Sequence, residues 1–346
     1  MAISKYAISI ITVVYDNEST ITHCLNSILA QKFTNFELII VNNGSSEGLT
    51  ALCEAYKEKD SRVMVIHMDH GAKGIAWNRG IDEAMGRYVL LMEGIGYLEE
   101  DVLSKLYEII IKNLDVIFLP PIEPVAESFE DQSKSVLPLI EPAAESFENQ
   151  SKSHVLHELG KTLPTHLWDK LIRRGVLFDN NIQFAEDNMW ETVDFCMKLY
   201  LNAETFGEAD FPCYNPLNNE VTFNEFTDED FGKLLLTLSR WTGPAELVYP
   251  DHTTIIHQWM SVIYLEELLP RYGQLSKEAR KNYQSAMSDF MWLLDIQPNQ
   301  DNKIVKMLCT TFGMHMASNL MTAYSALCQK IKSIKSIKYF QNHPVA

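Results

Sequence analysis

The chain opens on a hydrophobic run, Ile8–Tyr15, dominated by β-branched residues. A continuous apolar run of this length predicts a strand covered on both faces in a parallel sheet. Asp16–Ser19 breaks the run, and Ser19 or Thr20 is placed to cap a following helix. Ile21, Cys24, Leu25, Ile28 and Leu29 then share one helical face. Phe36–Val41 predicts a second buried strand that ends abruptly in Asn42-Asn43-Gly44-Ser45. The result is a βαβ unit with polar residues at the carboxyl ends of both strands, where open α/β sheets bind ligands.

The pattern continues with a helix over Leu49–Lys59, a strand over Val63–His67, and a helix over Ile75–Met85 closed by Gly86. Tyr88–Met92 predicts a further buried strand, Leu103–Lys112 an amphipathic helix and Val116–Leu119 a short strand. The chain then duplicates itself: LPPIEPVAESFEDQSKS (Leu119–Ser135) is followed by LPLIEPAAESFENQSKS (Leu137–Ser153). Two copies are too few for a solenoid. Their proline, glutamate and serine content predicts a mobile surface insertion over 119–153. From Phe226 the periodicity is helical, over Phe231–Trp241, Thr254–Leu269, Lys277–Leu294 and Lys303–Lys330, punctuated by Pro244, Pro250, Pro270 and Pro298. The expected organisation is an α/β domain over 1–225 and a helical subdomain over 226–346.

Composition narrows the partners. A net charge of −17 and a pI near 5.0 argue against nucleic acid, because phosphate binding needs clustered cations. The six cysteines lack metal spacing and suit free thiols in a reducing cytoplasm. MAISKYAISII reads as the start of the first strand rather than a signal peptide, and no apolar run is long enough to span a bilayer. The last stretch differs in kind. Lys330, Lys332, Lys335 and Lys338 interleave with Ile331, Ile334 and Ile337. That suits contact with an anionic inner leaflet, or equally a helix end whose lysines favour the dipole. A homo-oligomer is compatible with the helical C-terminus.

The residues themselves carry a resemblance. Val14-Tyr15-Asp16-Asn17-Glu18, Cys24-Leu25-Asn26-Ser27-Ile28-Leu29-Ala30-Gln31 and Val41-Asn42-Asn43-Gly44-Ser45 are similar, in order and spacing, to the opening of family-2 glycosyltransferases of the GT-A fold. Ala76, Asn78, Gly80, Ile81, Ala84, Gly86, Tyr88, Leu98 and Asp101 match a later family segment, as do PTHLWDKLIRR (Pro164–Arg174) and Phe184-Ala185-Glu186-Asp187-Asn188-Met189-Trp190. The resemblance covers about Ile8–Thr222, the duplication apart. It implies a mixed, mostly parallel sheet flanked by helices, and transfer of a sugar from a nucleotide-sugar donor to a glycan or lipid-linked acceptor in cell-surface polysaccharide or oligosaccharide synthesis. It further implies donor binding by Val13, Val14, Tyr15, Glu18, Asn43, Ser45, Trp77 and Asn78. Asp187 is implied as the general base, beside Glu186, in an inverting displacement. A cap on the following helix is the plainer role for the same two carboxylates.

The family's metal chemistry departs from its pattern here. The aspartates that hold Mn²⁺ or Mg²⁺ against the diphosphate correspond to Glu93, Gly94, Ile95 and Gly96, leaving Glu93 as a weak candidate ligand. The family's arginine before the asparagine is Trp77, its base-contacting aspartate is Asn43, and no arginine follows Cys213-Tyr214. Each change removes charge from a phosphate or nucleotide site. Glu99, Glu100 and Asp101 read as the acidic start of the next helix. Two expectations follow. One is an active transferase with weak or no metal dependence, with Lys73 as a nearby cation. The other is an inactive GT-A module that binds a glycan or a protein.

Overall fold

The computed structural model describes residues 4–15, 18–94, 96–122, 147, 150–162, 166–186, 191–216, 226–296 and 300–323. Most of the duplicated insertion, the Asp187–Trp190 segment and the lysine-rich C-terminus lie outside the described residues.

The chain divides into two compact units, the first holding the described residues to Pro216 apart from 160–162, the second those from Phe226. In the first unit, β1 (Tyr6–Val14), α1 (Glu18–Leu29), β2 (Phe36–Asn43), α2 (Glu47–Lys59), β3 (Val63–Met68), α3 (Lys73–Glu83) and β4 (Gly86–Met92) follow in order. β5 (Gly96–Leu98), α4 (Val102–Ile110), β6 (Val116–Phe118), α5 (Lys152–Thr162), β7 (Lys170–Arg173) and α6 (Arg174–Asp179) come next, then α7 (Glu191–Asn202), β8 (Phe206–Glu208) and β9 (Tyr214–Pro216). Seven strands form one sheet in the order β3-β2-β1-β4-β7-β6-β8, and β5 pairs with β9 separately. β1 is parallel to both β2 and β4, whereas β7 runs antiparallel to β4 and β6.

The uninterrupted apolar runs are explained by burial on both faces. Ile8, Ile10, Ile11 and Val14 of β1, and Leu38 through Val41 of β2, are fully buried. β1 is also where strand order reverses, with β2 and β3 on one side and β4 on the other. The carboxyl ends of β1 and β4 therefore flank the topological switch point, the crevice where open α/β sheets bind ligands.

The motif residues of α1 serve this frame. Ser27 Oγ accepts from Leu98 N at 3.1 Å, and Gln31 donates to Glu99 O at 2.7 Å while accepting from Leu103 N at 3.1 Å. They hold β5 and satisfy an open N–H in the first turn of α4. Asp101 occupies the N-cap position of α4, as its acidic run suggests, in left-handed conformation with φ 62°.

The second unit is helical: α8 (Asp228–Trp241), α9 (Pro244–Val248), α10 (Thr253–Val262), a π-helical stretch Ile263–Leu268, α11 (Leu269–Tyr272), α12 (Lys277–Asp289) and α13 (Gln300–Phe312). Phe231, Leu234, Leu238, Trp259, Met260, Tyr264 and Leu268 are buried there. Several expected boundaries change, the helix expected over Lys277–Leu294 ending at Asp289 among them. The predicted helix over Thr254–Leu269 carries past Pro270 to Tyr272, and the stretch just before the proline has π rather than α bonding. Proline lacks the N–H that an α-helical bond would need, so a register change beside it costs little. The helix expected from Lys303 to Lys330 stops at Phe312, because Gly313 adopts φ 81°; it resumes as α14 over 314–323.

Candidate functional site

The site is built at the carboxyl ends of β1, β2 and β4 with the first turn of α3. Val13 and Val14 are buried at the end of β1. Tyr15 then emerges, 45% exposed, its ring stacked on His70 at 4.4 Å. Ser45 Oγ donates to Val14 O at 3.1 Å and so ties the loop after β2 to the end of β1. Glu18 begins α1, and its side chain lies outside the described residues.

Two asparagines do the work of strand partners. Asn43 donates to Gly71 O at 2.9 Å and accepts from Gly71 N at 3.2 Å. Asn78 donates to Phe184 O at 2.9 Å and accepts from Phe184 N at 2.8 Å. A carboxamide answers a backbone N–H and C=O together; an ionised aspartate at 43 would face the Gly71 carbonyl without a donor. Asn43 is thereby buried and spent on the entry to α3, and Asn78 fixes the segment that leads into Glu186 and Asp187. Glu186 is exposed, and Asp187 lies outside the described residues. Trp77 is completely buried beside Phe184, with ring centroids 6.3 Å apart, and its ring is not presented to an arriving ligand.

Charge gathers where the family places its metal. Glu93 follows β4 directly and receives Lys73 Nζ at 2.6 Å. The ammonium holds the Glu93 carboxyl below the usual carboxylate range, with His166 and Lys170 acting in the same direction. Desolvation works against the Lys73 charge although its side chain is 47% exposed, and Glu93 with its hydrogen bond lifts the ammonium above its ordinary value. A third group, Glu191 in the first turn of α7, accepts from Gly74 N at 2.9 Å. Burial pushes its carboxyl up to about 7, against the opposing pull of Lys73 and the Gly74 N–H. Residue 74 is glycine for steric reasons: a Cβ would stand 2.5 Å from Ala185 O and 2.7 Å from Glu191 Oε2. Sequence reasoning missed Glu191, whose only sign is a carboxylate in a first helical turn.

Gly96 explains one lost aspartate. A Cβ there would collide with the Tyr214 hydroxyl. Tyr214 is buried, stacks on Trp168 at 4.5 Å, and comes from the strand paired with β5. Its hydroxyl, Trp77 Nε1, Asp169 Oδ2 and His166 Nε2 are buried with no hydrogen-bond partner among the described residues. Lys170, wholly buried, pairs with Asp169 and lies 5.9 Å from the Tyr200 ring centroid.

These residues do not fit a hard divalent cation. Such an ion needs several oxygen ligands, and Glu93, the carboxylate at that position, is already neutralised by Lys73. Among the described residues no group of three or more histidine, cysteine, aspartate or glutamate side chains could hold a metal.

Comparison with known proteins agrees with the motifs. The profile of glycosyl transferase family 2 matches residues 9–164. The Bacillus subtilis uncharacterized glycosyltransferase EpsJ is 30% identical over 242 residues, 65% of this chain and 67% of its own length. EpsH of the same organism is 28% identical over 212 residues, and the chain spans 60% of its length. The poly(ribitol-phosphate) beta-N-acetylglucosaminyltransferase TarS of Staphylococcus aureus is 27% identical over 199 residues, 56% of this chain and 32% of TarS. The crystal structure of TarS 1–349 in complex with UDP-GlcNAc superposes with a TM-score of 0.69 at 19% identity, covering 92% of both chains. The sheet order, the switch-point site and this superposition define a GT-A fold of a mixed, mostly parallel sheet flanked by helices. With its motifs in register along the first unit, the chain belongs to glycosyl transferase family 2.

Proposed function

We propose that the chain is an inverting nucleotide-sugar transferase in which Lys73, oriented by Glu93, takes the part of the divalent cation. The single observation that carries the reading is the 2.6 Å Lys73–Glu93 pair at the end of β4. An ammonium has three donors; with one on Glu93, two are left for phosphoryl oxygens. Charge on the departing diphosphate is then met by a fixed cation, the kind of preorganised electrostatics that dominates many transfer reactions. The acceptor hydroxyl attacks the anomeric carbon opposite the diphosphate, Asp187 takes its proton, and the bond to the diphosphate breaks. The TarS complex with UDP-GlcNAc and the TarS activity on poly(ribitol-phosphate) support a UDP-sugar donor and a surface-polymer acceptor. Purified protein should turn over one member of a UDP-, GDP- and CMP-sugar panel in EDTA, and Asp187→Asn should abolish that turnover. Turnover seen only with Mn²⁺ would contradict the Lys73 role.

A second reading, an inactive GT-A module that binds a glycan or a protein, draws on a different observation. The Asn43 and Asn78 amides are both spent on backbone, and Trp77 is buried. Absence of turnover with every donor, with or without metal, selects it.

A further inference from the structure

Charge is divided unevenly along this chain. The 45 residues from Asn302 onward carry six lysines and no aspartate or glutamate, so the remainder holds all 46 acidic residues against 23 basic ones. The acid-free stretch begins on α13, whose inward face is Asn302, Val305 and Cys309, all buried. The opposite side mixes large apolar residues with exposed Lys303, Thr310 and Thr311. Ile304 and Met307 are 45% and 55% exposed, and beyond them Phe312, and Met316 and Leu320 of α14, are exposed too. Single exposed apolar residues need no explanation, but five large ones between Ile304 and Leu320, on the two helices either side of Gly313 and with no acid among them, are a concentration that suits contact.

We infer that this outer face of α13 and α14 docks on an anionic lipid bilayer, with the lysines that follow it in the sequence supplying the electrostatic attraction. Apolar side chains on one side of a helix, followed by a basic and acid-free segment, are the two signals that interfacial anchoring requires. Charge decides between the candidate occupants. Acidic lipid headgroups complement Lys303, Lys330, Lys332, Lys335 and Lys338, whereas a second copy would bring its own lysines to a symmetric contact. Among the described residues no helix is long and apolar enough to cross a membrane, so the contact is one of lying on the surface. The inference does not rest on the transferase reading, and its test reads binding alone.

The test is co-sedimentation of the full chain with phosphatidylcholine vesicles and with vesicles containing about one third phosphatidylglycerol. The protein should sediment with the anionic vesicles only, and salt should release it. Phe312→Glu with Leu320→Glu should weaken binding about tenfold or more. Each of Lys332→Gln, Lys335→Gln and Lys338→Gln should weaken it roughly fivefold. No binding to anionic vesicles, or binding unchanged by both sets of variants, overturns the inference. So does light scattering that shows a dimer converted to monomer by Phe312→Glu while vesicle binding stays the same.

Discussion

The two ends of the parallel sheet treat their buried polar groups in opposite ways. At the amino ends, Glu37 accepts from Ser9 Oγ and Met85 N, each at 2.6 Å, and Ser9 Oγ in turn accepts from Gly86 N at 2.7 Å. That cluster is closed on itself and ties β1, β2 and β4 together. At the carboxyl ends and the strands beside them, Trp77 Nε1, Tyr214 Oη, Asp169 Oδ2 and His166 Nε2 have no partner among the described residues, while Lys73, Glu93 and Glu191 concentrate charge. A buried polar group without a partner is costly, so its persistence at one end of the sheet marks a site and its absence at the other marks a floor. One set of strands serves stability below and chemistry above.

The largest expected effect separates the two ends by activity. Lys73→Ala should lower kcat by about a hundredfold to a thousandfold, as loss of a preorganised charge partner does elsewhere, while Tm stays nearly constant. Glu37→Ala should do the reverse. It leaves the Ser9 hydroxyl proton and the Met85 N–H without their acceptor, costing on the order of 3 kcal/mol in denaturant unfolding with nucleotide binding retained by what remains folded. Equal damage by both variants to both readouts would break the comparison.

Glu191 sharpens it through pH. Its folded carboxyl titrates near 7 against 4.5 for the ordinary group. Its stabilising contribution is therefore full below about 4.5 and is lost as pH rises through 7, to a limit on the order of 3 kcal/mol. Glu191→Gln should flatten that part of the stability–pH curve; an unchanged curve would show that the carboxylate is not held in a buried position. The smallest effect belongs to Asn43→Asp, which restores the family's aspartate but sets a carboxylate against the Gly71 carbonyl. About 1–2 kcal/mol of stability should be lost, without gain of metal dependence.

Much of this was readable from the residues alone. β1, β2 and β4 carry continuous apolar runs, and burial on both faces accounts for them once helices alternate with the strands. Asn43, Trp77, Asn78 and Glu93 were placed by motif register, which fixes position but not partner. The reciprocal bonds of Asn43 to Gly71 and of Asn78 to Phe184 depend on backbone geometry set by the fold. Glu191 meets Gly74 across 117 positions of sequence, and no local pattern encodes that approach. Tyr214 against Gly96 is similar: the glycine is visible, and the ring that demands it is not. In the helical unit, periodicity located the segments, but the positive φ of Gly313 and the π stretch before Pro270 are backbone responses to packing.

The central claim, that Lys73 stands where a metal would, is tested most directly by calorimetry with UDP-GlcNAc, and with GDP- and CMP-sugars beside it. The account predicts that one donor binds with a Kd changed less than about threefold by Mn²⁺, and that Lys73→Ala weakens it by about tenfold or more, roughly 1.4 kcal/mol. Binding that appears only with Mn²⁺ and survives Lys73→Ala would contradict the account.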